Sequence, residues 1–291
     1  MECGGRAKRD AALDFSYFTS KLKRRRASLA AALQMLFTHA IIRPPASNFA
    51  DGLTTVDLGV PDYERALVQH AAYCSALETC GLTLTRLQAD ERYPDSTFVE
   101  DTAVLTPRVA ILSRPGAPSR EEEVAAVAST IRTFYSEVRK IDAPGSLDGG
   151  DVCDTGEHFF IGISRRTNEA GARQLGAILR EFGYTFDLID IRSLHTILHL
   201  KSGIASLDER RLVVIDELAG RSEFQDFELI RISSREAYAA NCVQVNSRVL
   251  VAAGFPKTEA QLRALGYDTL TLEMSEFEKM DGGLSCLSLR F

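Results

Sequence analysis

The sequence predicts a mixed α/β fold in which short strands alternate with amphipathic helices. From residue 35 onward the chain repeats a pattern of hairpin, helix and strand, with no linker long enough to separate two domains. A doubly wound βαβ sheet would not need so many adjacent strand pairs. We therefore predict one domain over residues 35–291, preceded by a basic extension over residues 1–34.

The first half of this domain is predicted from apolar spacing and turn residues. It comprises helix 61–80, strand 82–87, a hairpin of strands 98–105 and 109–112, and helix 124–135. Gly81 is a plausible end for the first helix, because glycine adopts the left-handed backbone found after many helices. Ser119 and Glu122 have the spacing of a capping box, which predicts the start of the next helix.

The second half continues the same alternation. It comprises strands 138–141 and 158–164, helix 168–182, strands 185–189, 211–215, 228–232, 243–246 and 248–252, helix 257–265, strand 269–272, and a last short helix and strand. Gly183 and Gly266 follow two of the helices and are expected to end them. Periodicity alone thus indicates a single α/β domain and nothing finer.

Charge distribution restricts the partners. Residues 1–34 hold eight Lys/Arg and three Asp/Glu, so the net charge of −6 leaves −11 on the remaining chain. An acidic body argues against a nucleic-acid partner and suits a positively charged small molecule. The sequence has no run of 18 apolar residues, so we expect no membrane span.

Cysteine and glycine patterns narrow the chemistry further. The six cysteines include no C-x-x-C pair, so neither a zinc ribbon nor a redox pair is indicated. We interpret them as reduced thiols and expect a reducing, cytoplasmic environment. No glycine-rich phosphate motif is present, and we predict neither a metal nor another cofactor.

The basic extension allows more than one interpretation. Its cluster of Lys and Arg before an Ala-rich stretch is typical of a disordered or weakly helical tail. The same stretch would also result from a start codon assigned too early, with Met35 as the first residue of the folded chain. The alternative is an organelle-targeting peptide, which is characteristically rich in Arg and poor in acidic residues.

Three features are candidates for catalysis, although each also has a structural interpretation. Cys286 follows a Gly-Gly pair that permits close backbone approach, yet a lone cysteine is often a core residue. Glu100 and Asp101 suit a planar cation, or form a solvated strand end. His199 lies between leucines and is four residues after His195, a spacing that would place both on one helix face. No third metal ligand or H-E-x-x-H pattern accompanies the two histidines.

Taken together, these features resemble a known family. The resemblance rests on residues 53–55, 94–101, 141–151, 166–168, 198–201, 238–242 and 281–286, in that order. They resemble dimethylarginine dimethylaminohydrolases of the pentein superfamily over nearly all of residues 35–291. The resemblance implies a five-bladed α/β propeller built from ββαβ units. It also implies hydrolysis of Nω-methylated arginine to citrulline and a methylamine, without an obligatory cofactor.

The resemblance also implies roles for individual residues. Cys286 would be the nucleophile, His199 the general acid/base, and Asp148 a carboxylate that orients the histidine, although some relatives have a Glu at that position. Substrate-binding roles would fall to Glu100 and Asp101 at the guanidinium, Asp95 and the Leu53 carbonyl at the α-ammonium, Arg120 and Arg166 at the α-carboxylate, and the Met280 backbone. Gly52 would be a hinge for a lid that carries Leu53.

Other functions remain open at this point. An arginine or agmatine deiminase of the same superfamily would use the same trio and release ammonia. A non-catalytic binding protein could share the scaffold, but it would have no need for the cysteine, histidine and carboxylates together. The sequence leaves the oligomeric state open between monomer and homodimer.

Overall fold

The computed structural model describes residues 36–291, of which residues 37–291 form one compact unit. The predicted extension over residues 1–34 and the proposed start at Met35 lie outside the described residues. The domain boundary at residue 35 therefore stays a prediction. Within residues 36–291, every helix is too short or too polar to cross a bilayer.

In the described part of the chain, strands form five three-stranded sheets. The strands are β1 (His39–Ile42), β2 (Thr83–Arg86), β3 (Ala103–Leu105), β4 (Ala110–Leu112), β5 (Val138–Lys140), β6 (Val152–Asp154), β7 (His158–Ile163), β8 (Thr185–Asp190), β9 (Ile204–Ser206), β10 (Arg211–Ile215), β11 (Glu228–Ile232), β12 (Val243–Val245), β13 (Arg248–Ala252), β14 (Asp268–Leu272) and β15 (Ser288–Arg290). The sheets have the orders β15-β1-β2, β3-β4-β5, β6-β7-β8, β9-β10-β11 and β12-β13-β14. The last strand of the chain thus shares a sheet with the first.

Each sheet has the same internal arrangement. Its first-named strand is antiparallel to the middle strand, and the middle strand is parallel to the third. The helices are α1 (Tyr63–Thr79), α2 (Glu123–Phe134), α3 (Glu169–Glu181), α4 (Pro256–Ala264) and α5 (Ser275–Glu278). The first four connect a middle strand to its parallel neighbour, since parallel pairing requires a crossover. The β10–β11 connection contains the 3₁₀ turn Ser222–Phe224 instead.

A short 3₁₀ turn precedes the first-named strand of every sheet. These five turns, called here the ring turns, are Val99–Thr102, Gly149–Asp151, Leu200–Ser202, Ser234–Ala240 and Ser285–Leu287. The turn before β3 contacts those before β15 and β6, and the turn before β9 contacts those before β6 and β12. The five sheets are therefore blades around a common centre, and the predicted five-bladed α/β propeller is confirmed. Four blades are ββαβ units, and in the β9-β10-β11 blade a 3₁₀ turn stands in place of the helix.

Local sequence explains why the helices lie where they do. The Asn168 side chain caps α3 by accepting a hydrogen bond from the Gly171 N–H at 2.8 Å. Leu175 and Leu179 on this helix are fully buried in the core that contains β7, and Gly183 follows with φ of 85°. The predicted helix and its end are confirmed here.

Two predictions that concern helices are wrong. Ser119 lies inside the 3₁₀ turn Pro118–Arg120 and does not cap α2, whose first residue is Glu123. His195 and His199 do not share a helix face, because His199 precedes a 3₁₀ turn and His195 lies in the preceding loop.

Candidate active site

A cleft opens at the ring turns. Its walls are Leu53, Asp95, Phe98, Asp101, Arg120, Arg166, Leu198, His199, Met280, Asp281, Gly282 and Cys286. Eight of the ten predicted site residues belong to this set. The other two, Asp148 and Glu100, are buried and contact the site from behind: Asp148 bonds His199, and Glu100 bonds the residue before Cys286.

Cys286 lies in the ring turn Ser285–Leu287 and is partly exposed. The Gly283 N–H donates a hydrogen bond to its Sγ atom at 3.4 Å. Burial raises the pKa of the Cys286 thiol, and the carboxylates of Glu100 and Asp101 raise it further, to about 12. In the empty cleft the sulfur is therefore a thiol at neutral pH.

His199 immediately precedes the ring turn Leu200–Ser202. Its Nε2 atom lies 3.0 Å from Oδ2 of Asp148, a fully buried carboxylate whose Oδ1 accepts the Gly116 N–H at 2.7 Å. Burial alone would lower the pKa of His199, but Asp101, Asp148 and Asp151 outweigh it and raise this pKa to about 9. The imidazole is therefore held in a fixed orientation and protonated at neutral pH.

Asp101 contributes a fixed negative charge to the cleft wall. Its Oδ2 accepts a hydrogen bond from Nη1 of Arg120 at 2.6 Å, and its Oδ1 accepts the Gly150 N–H at 2.9 Å. Burial opposes ionisation of Asp101, but the charges of His199 and Arg120 dominate and lower its pKa to about 2. Asp101 is consequently an anion throughout the physiological range.

Arg120 is held from its other side by Glu123. The two form a paired contact, with Nε to Oε1 at 3.1 Å and Nη2 to Oε2 at 2.9 Å, and Nη2 also donates to the Phe98 carbonyl at 3.0 Å. All three guanidinium nitrogens are thus engaged by protein atoms. Arg166, by contrast, reaches only to 4.0 Å from Asp148 and retains donors that can face the cleft.

Glu100 adjoins Asp101 in sequence, but both of its oxygens face other parts of the protein. Oε1 accepts a hydrogen bond from Nζ of Lys201 at 2.6 Å, and Oε2 accepts the Ser285 hydroxyl at 2.8 Å. Both carboxylates lie in the 3₁₀ turn Val99–Thr102 and not in the predicted strand 98–105, which begins only at Ala103. The turn directs Asp101 towards the cleft and Glu100 towards the side chain of Ser285, the residue before the nucleophile.

The opposite end of the cleft is covered by the loop that follows Gly52. The Leu53 N–H donates to both oxygens of Asp95, at 3.0 and 3.2 Å. Burial raises the pKa of Asp95 in spite of the opposing charge of Arg120. Gly52 is required by this approach, because a Cβ at that position would lie 2.5 Å from Oδ1 of Asp95.

Further contacts hold this loop, residues 52–60, which we call the lid, against the loop before Cys286. Oδ2 of Asp281 accepts the Thr55 N–H at 2.5 Å, and its Oδ1 accepts the Thr55 hydroxyl at 3.1 Å. The Thr54 hydroxyl donates to the Lys279 carbonyl at 2.9 Å. Asp281 has a positive φ of 56°, uncommon for a residue with a side chain. This backbone conformation places the Asp281 carboxylate in the cleft wall, where it holds Thr55 of the lid.

Asp101, Asp148 and His199 also bring ligand-type atoms within 4.8 Å of one another. Two positive charges are already part of this cluster, because Arg120 binds Asp101 and the imidazole binds Asp148. The arrangement is accounted for by proton and guanidinium charges, and it carries no argument for a metal centre.

Sequence reasoning assigned no role to several residues that surround the site. Lys201 and Asn241 lie in stretches that supported the family resemblance, and Asp281 begins the stretch that ends in Cys286. Ser285 and Glu123 are buried polar residues in contact with predicted site residues. A polar residue beside a catalytic position was the available signal, but it does not reveal which atoms that residue contacts.

A five-bladed propeller whose ring turns bring a cysteine, a histidine and carboxylates into one cleft defines a pentein of the guanidine-modifying type. No protein-family model matches the chain. The chain belongs to the dimethylarginine dimethylaminohydrolase family: it is 47% identical to that enzyme from Pseudomonas aeruginosa over 257 residues, covering 88% of this chain and 100% of the relative. It is 34% identical to the enzyme from Streptomyces coelicolor, over 86% and 96% of the two chains.

Solved structures agree with this assignment. The Pseudomonas aeruginosa protein, solved as a Cys-to-Ser mutant complexed with citrulline, has a TM-score of 0.85, with coverage of 88% of this chain and 100% of that one. A His-to-Gly form of a dimethylarginine dimethylaminohydrolase, solved as an adduct with S-methyl-L-thiocitrulline, gives the same score and coverage. The N-terminal domain of ArgZ, an arginine dihydrolase, has a TM-score of 0.77 at 17% identity and shows the fold alone.

Proposed function

We propose that this protein hydrolyses Nω-methylated arginine, either asymmetric dimethylarginine or monomethylarginine, to citrulline and dimethylamine or methylamine. One observation carries the proposal: Cys286, His199 and the anionic Asp101 line a single cleft in a chain of this family. The relatives in complex with citrulline and a thiocitrulline support a product and a reaction site of this kind.

Substrate binding prepares the two reacting groups. The guanidinium binds beside Asp101, which keeps it positively charged and therefore electrophilic at its central carbon. The same positive charge offsets the field of Glu100 and Asp101 at the sulfur, so Cys286 loses its proton. His199 is already protonated, so this proton leaves to solvent. The bound complex then contains a thiolate, a guanidinium and an imidazolium.

The first chemical step forms a bond between sulfur and carbon. The Cys286 thiolate attacks the central carbon and gives a neutral tetrahedral adduct. His199 donates its proton to the methylated nitrogen, the C–N bond breaks, and the neutral amine departs. A positively charged S-alkylthiouronium remains on Cys286, beside a neutral imidazole.

The second step returns the enzyme to its starting state. Water attacks the thiouronium carbon while His199 takes one of its protons. The C–S bond then breaks with sulfur leaving as a thiolate, and citrulline forms as the remaining hydroxyl proton passes to the departed amine or to solvent. The thiolate takes up a proton from solvent after the product has left. Asp148 serves this cycle by orienting the imidazole through its bond to Nε2 and by stabilising the protonated form.

The remaining predicted contacts orient the amino-acid end of the substrate. Asp95, with the Leu53 carbonyl, suits the α-ammonium, and Arg166 suits the α-carboxylate because its donors are less engaged than those of Arg120. Direct contacts from Arg120, Glu100 and the Met280 carbonyl stay predictions. Two carboxylates, Asp95 and Asp101, thus accompany a substrate with two cationic groups.

The test is incubation with asymmetric dimethylarginine, arginine and agmatine, with dimethylamine and ammonia measured separately. The proposal predicts dimethylamine and citrulline from the first compound, and loss of turnover with retained binding in Cys286→Ser. Faster release of ammonia from arginine or agmatine would instead support the deiminase. Binding without turnover of any of the three would support a binding protein.

We also propose that the protein works in a reducing, cytoplasmic environment. Cys74, Cys80, Cys153, Cys242 and Cys286 are all free thiols. Free thiols support a reducing, cytoplasmic environment. Organelle targeting by residues 1–34, and the choice between monomer and homodimer, stay predictions.

A further inference from the structure

We propose that Asn241 is a positioning residue, which joins the turn of the nucleophile to the turn of the general acid/base and so sets their mutual placement. This inference rests on the proposed function, because the placement matters only if Cys286 and His199 act on one substrate. Asn241 does not line the cleft, so it acts through these turns and not on the substrate.

The Asn241 side chain forms three hydrogen bonds. Its Oδ1 accepts the Ser285 N–H at 2.9 Å, and its Nδ2 donates to the Ser285 hydroxyl at 3.0 Å and to the Lys201 carbonyl at 2.8 Å. Ser285 directly precedes Cys286, and Lys201 lies two residues after His199. One planar amide therefore fixes two backbone segments, one beside each reacting group, with both amide protons used.

The position of Asn241 in the fold explains why it is suited to this role. Contacts between ring turns extend from Ser285–Leu287 through the intermediate turns to Ser234–Ala240. Asn241 follows that last turn directly, and its bonds to Ser285 close the circuit on the remaining side. Four blades contribute predicted site residues within or directly before their ring turns, and Asn241, directly after its turn, is the contribution of the fifth.

Close packing shows that the amide is held in place. A Cβ at position 283 would lie 2.5 Å from Oδ1 of Asn241, so Gly283 permits this approach. The same glycine donates its N–H to the sulfur of Cys286. Asn241 and the nucleophile therefore contact the same short segment, and movement of one displaces the other.

A partly buried ion pair between Lys201 and Glu100 also holds this segment. Glu100 accepts the Ser285 hydroxyl at 2.8 Å and is itself bound by Nζ of Lys201 at 2.6 Å. The Ser285 hydroxyl thus accepts from Asn241 and donates to Glu100. The four residues form a closed circuit from Lys201 through Glu100, Ser285 and Asn241 back to the Lys201 backbone.

The consequence for catalysis follows from geometry. Attack by a thiolate and protonation of the leaving amine both require placement within a fraction of an ångström, and a misplacement of about 1 Å costs roughly a hundredfold in rate. Loss of the Asn241 amide frees both segments while leaving every cleft-lining side chain unchanged. We expect kcat to fall about ten- to a hundredfold and KM to change less than threefold.

The experiment compares Asn241→Ala with Asn246→Ala, using asymmetric dimethylarginine as substrate. Asn246 is a matched control at the other end of β12, since its amide also donates to two acceptors, the Phe37 and Cys80 carbonyls at 3.0 and 2.8 Å. Both variants should lower the melting temperature, but only Asn241→Ala should lower kcat. A kcat for Asn241→Ala within threefold of that for Asn246→Ala would overturn the proposal.

Asn241→Asp provides the same comparison if the alanine variant does not fold. Its carboxylate still accepts from the Ser285 N–H but has no proton to donate to the Lys201 carbonyl. We expect the same loss of kcat, again relative to Asn246→Ala. Activity within threefold of that control would count against the proposal in the same way.

Alkylation of Cys286 separates failure of this inference from failure of the proposed function. Each variant is treated with 2-chloroacetamidine, a cation, and with iodoacetamide, which is neutral, and the modified Cys286 peptide is quantified by mass spectrometry. The wild-type protein should favour the cation, and Asn241→Ala should lose at least fivefold of that preference while Asn246→Ala keeps it. If the wild type releases no dimethylamine, the proposed function fails. If Asn241→Ala keeps the wild-type preference for the cationic reagent, the positioning role fails, whatever the outcome for the proposed function.

Discussion

The ionisation of Cys286 provides the sharpest test of the electrostatic argument. In the empty cleft, burial and two carboxylates raise its pKa to about 12. At pH 7.5 such a thiol is ionised in roughly 3 molecules per 100,000, whereas an ordinary cysteine near 8.5 is about 10% ionised. An empty site of this kind contains almost no nucleophile.

A bound guanidinium should reverse much of this effect. An opposite unit charge about 4 Å from the sulfur, at an effective dielectric constant near 20, contributes about 4 kcal/mol. At about 1.4 kcal/mol per pKa unit, the thiol pKa falls by about three units, to about 9. Substrate binding therefore increases the thiolate fraction roughly a thousandfold.

The assay is a pH titration of thiolate ultraviolet absorbance, with and without a saturating guanidinium ligand that the protein does not hydrolyse. Cys286→Ser provides the difference spectrum that removes the other thiols. Absorbance should appear only at the alkaline limit without ligand and near pH 9 with it. Superimposable titration curves would refute the reasoning.

Three further predictions concern other parts of the site. Asp148→Asn should lower kcat by about 10²–10⁴-fold with little change in KM, because the imidazole loses the carboxylate that orients it and stabilises its protonated form. Steady-state kinetics that show an unchanged kcat would contradict this. Asp281→Ala should raise KM for methylarginine several-fold because the lid loses both bonds to Thr55, and an unchanged KM would show that the lid needs no such contact. The raised pKa of His199, about 9 against an ordinary 6.5, stabilises the fold by up to about 3 kcal/mol. That contribution is fully present below pH 6.5 and is lost between pH 6.5 and 9. The melting temperature of His199→Gln should therefore fall less than that of the wild type across this interval. Parallel plots of melting temperature against pH for the two proteins would contradict a stabilising role of the His199 charge.

Much of the architecture was predictable from the sequence alone. Strands Arg211–Ile215 and Glu228–Ile232 have the bounds that the sequence predicts. The first is a short apolar run that is buried, and the second leaves Glu228 and Arg231 exposed while Ile230 and Ile232 are buried. Helix α3 was predicted to within a residue because its cap and terminal glycine act locally. The order of several chemically distinctive stretches indicated the family, and with it the propeller and eight residues that line the cleft.

The sequence did not determine where the ring turns direct their side chains. The sequence places Glu100 and Asp101 in a strand, but a 3₁₀ turn directs Glu100 to Ser285 and Asp101 to the cleft. The roles of Asn241 and Lys201 were equally invisible. Each depends on contacts with residues 40 to 101 positions away in the chain, and no local pattern encodes such distances.

The sequence by itself determined the fold class, the family and the chemical groups of the site, because these follow from local periodicity and from residue types in a fixed order. Only the tertiary structure decided the charge states and the supporting contacts. Burial and the summed fields of neighbouring carboxylates give Cys286 and His199 their opposite departures from solution behaviour, towards a thiol and an imidazolium. Those fields depend on distances that exist only once the five blades close around one centre.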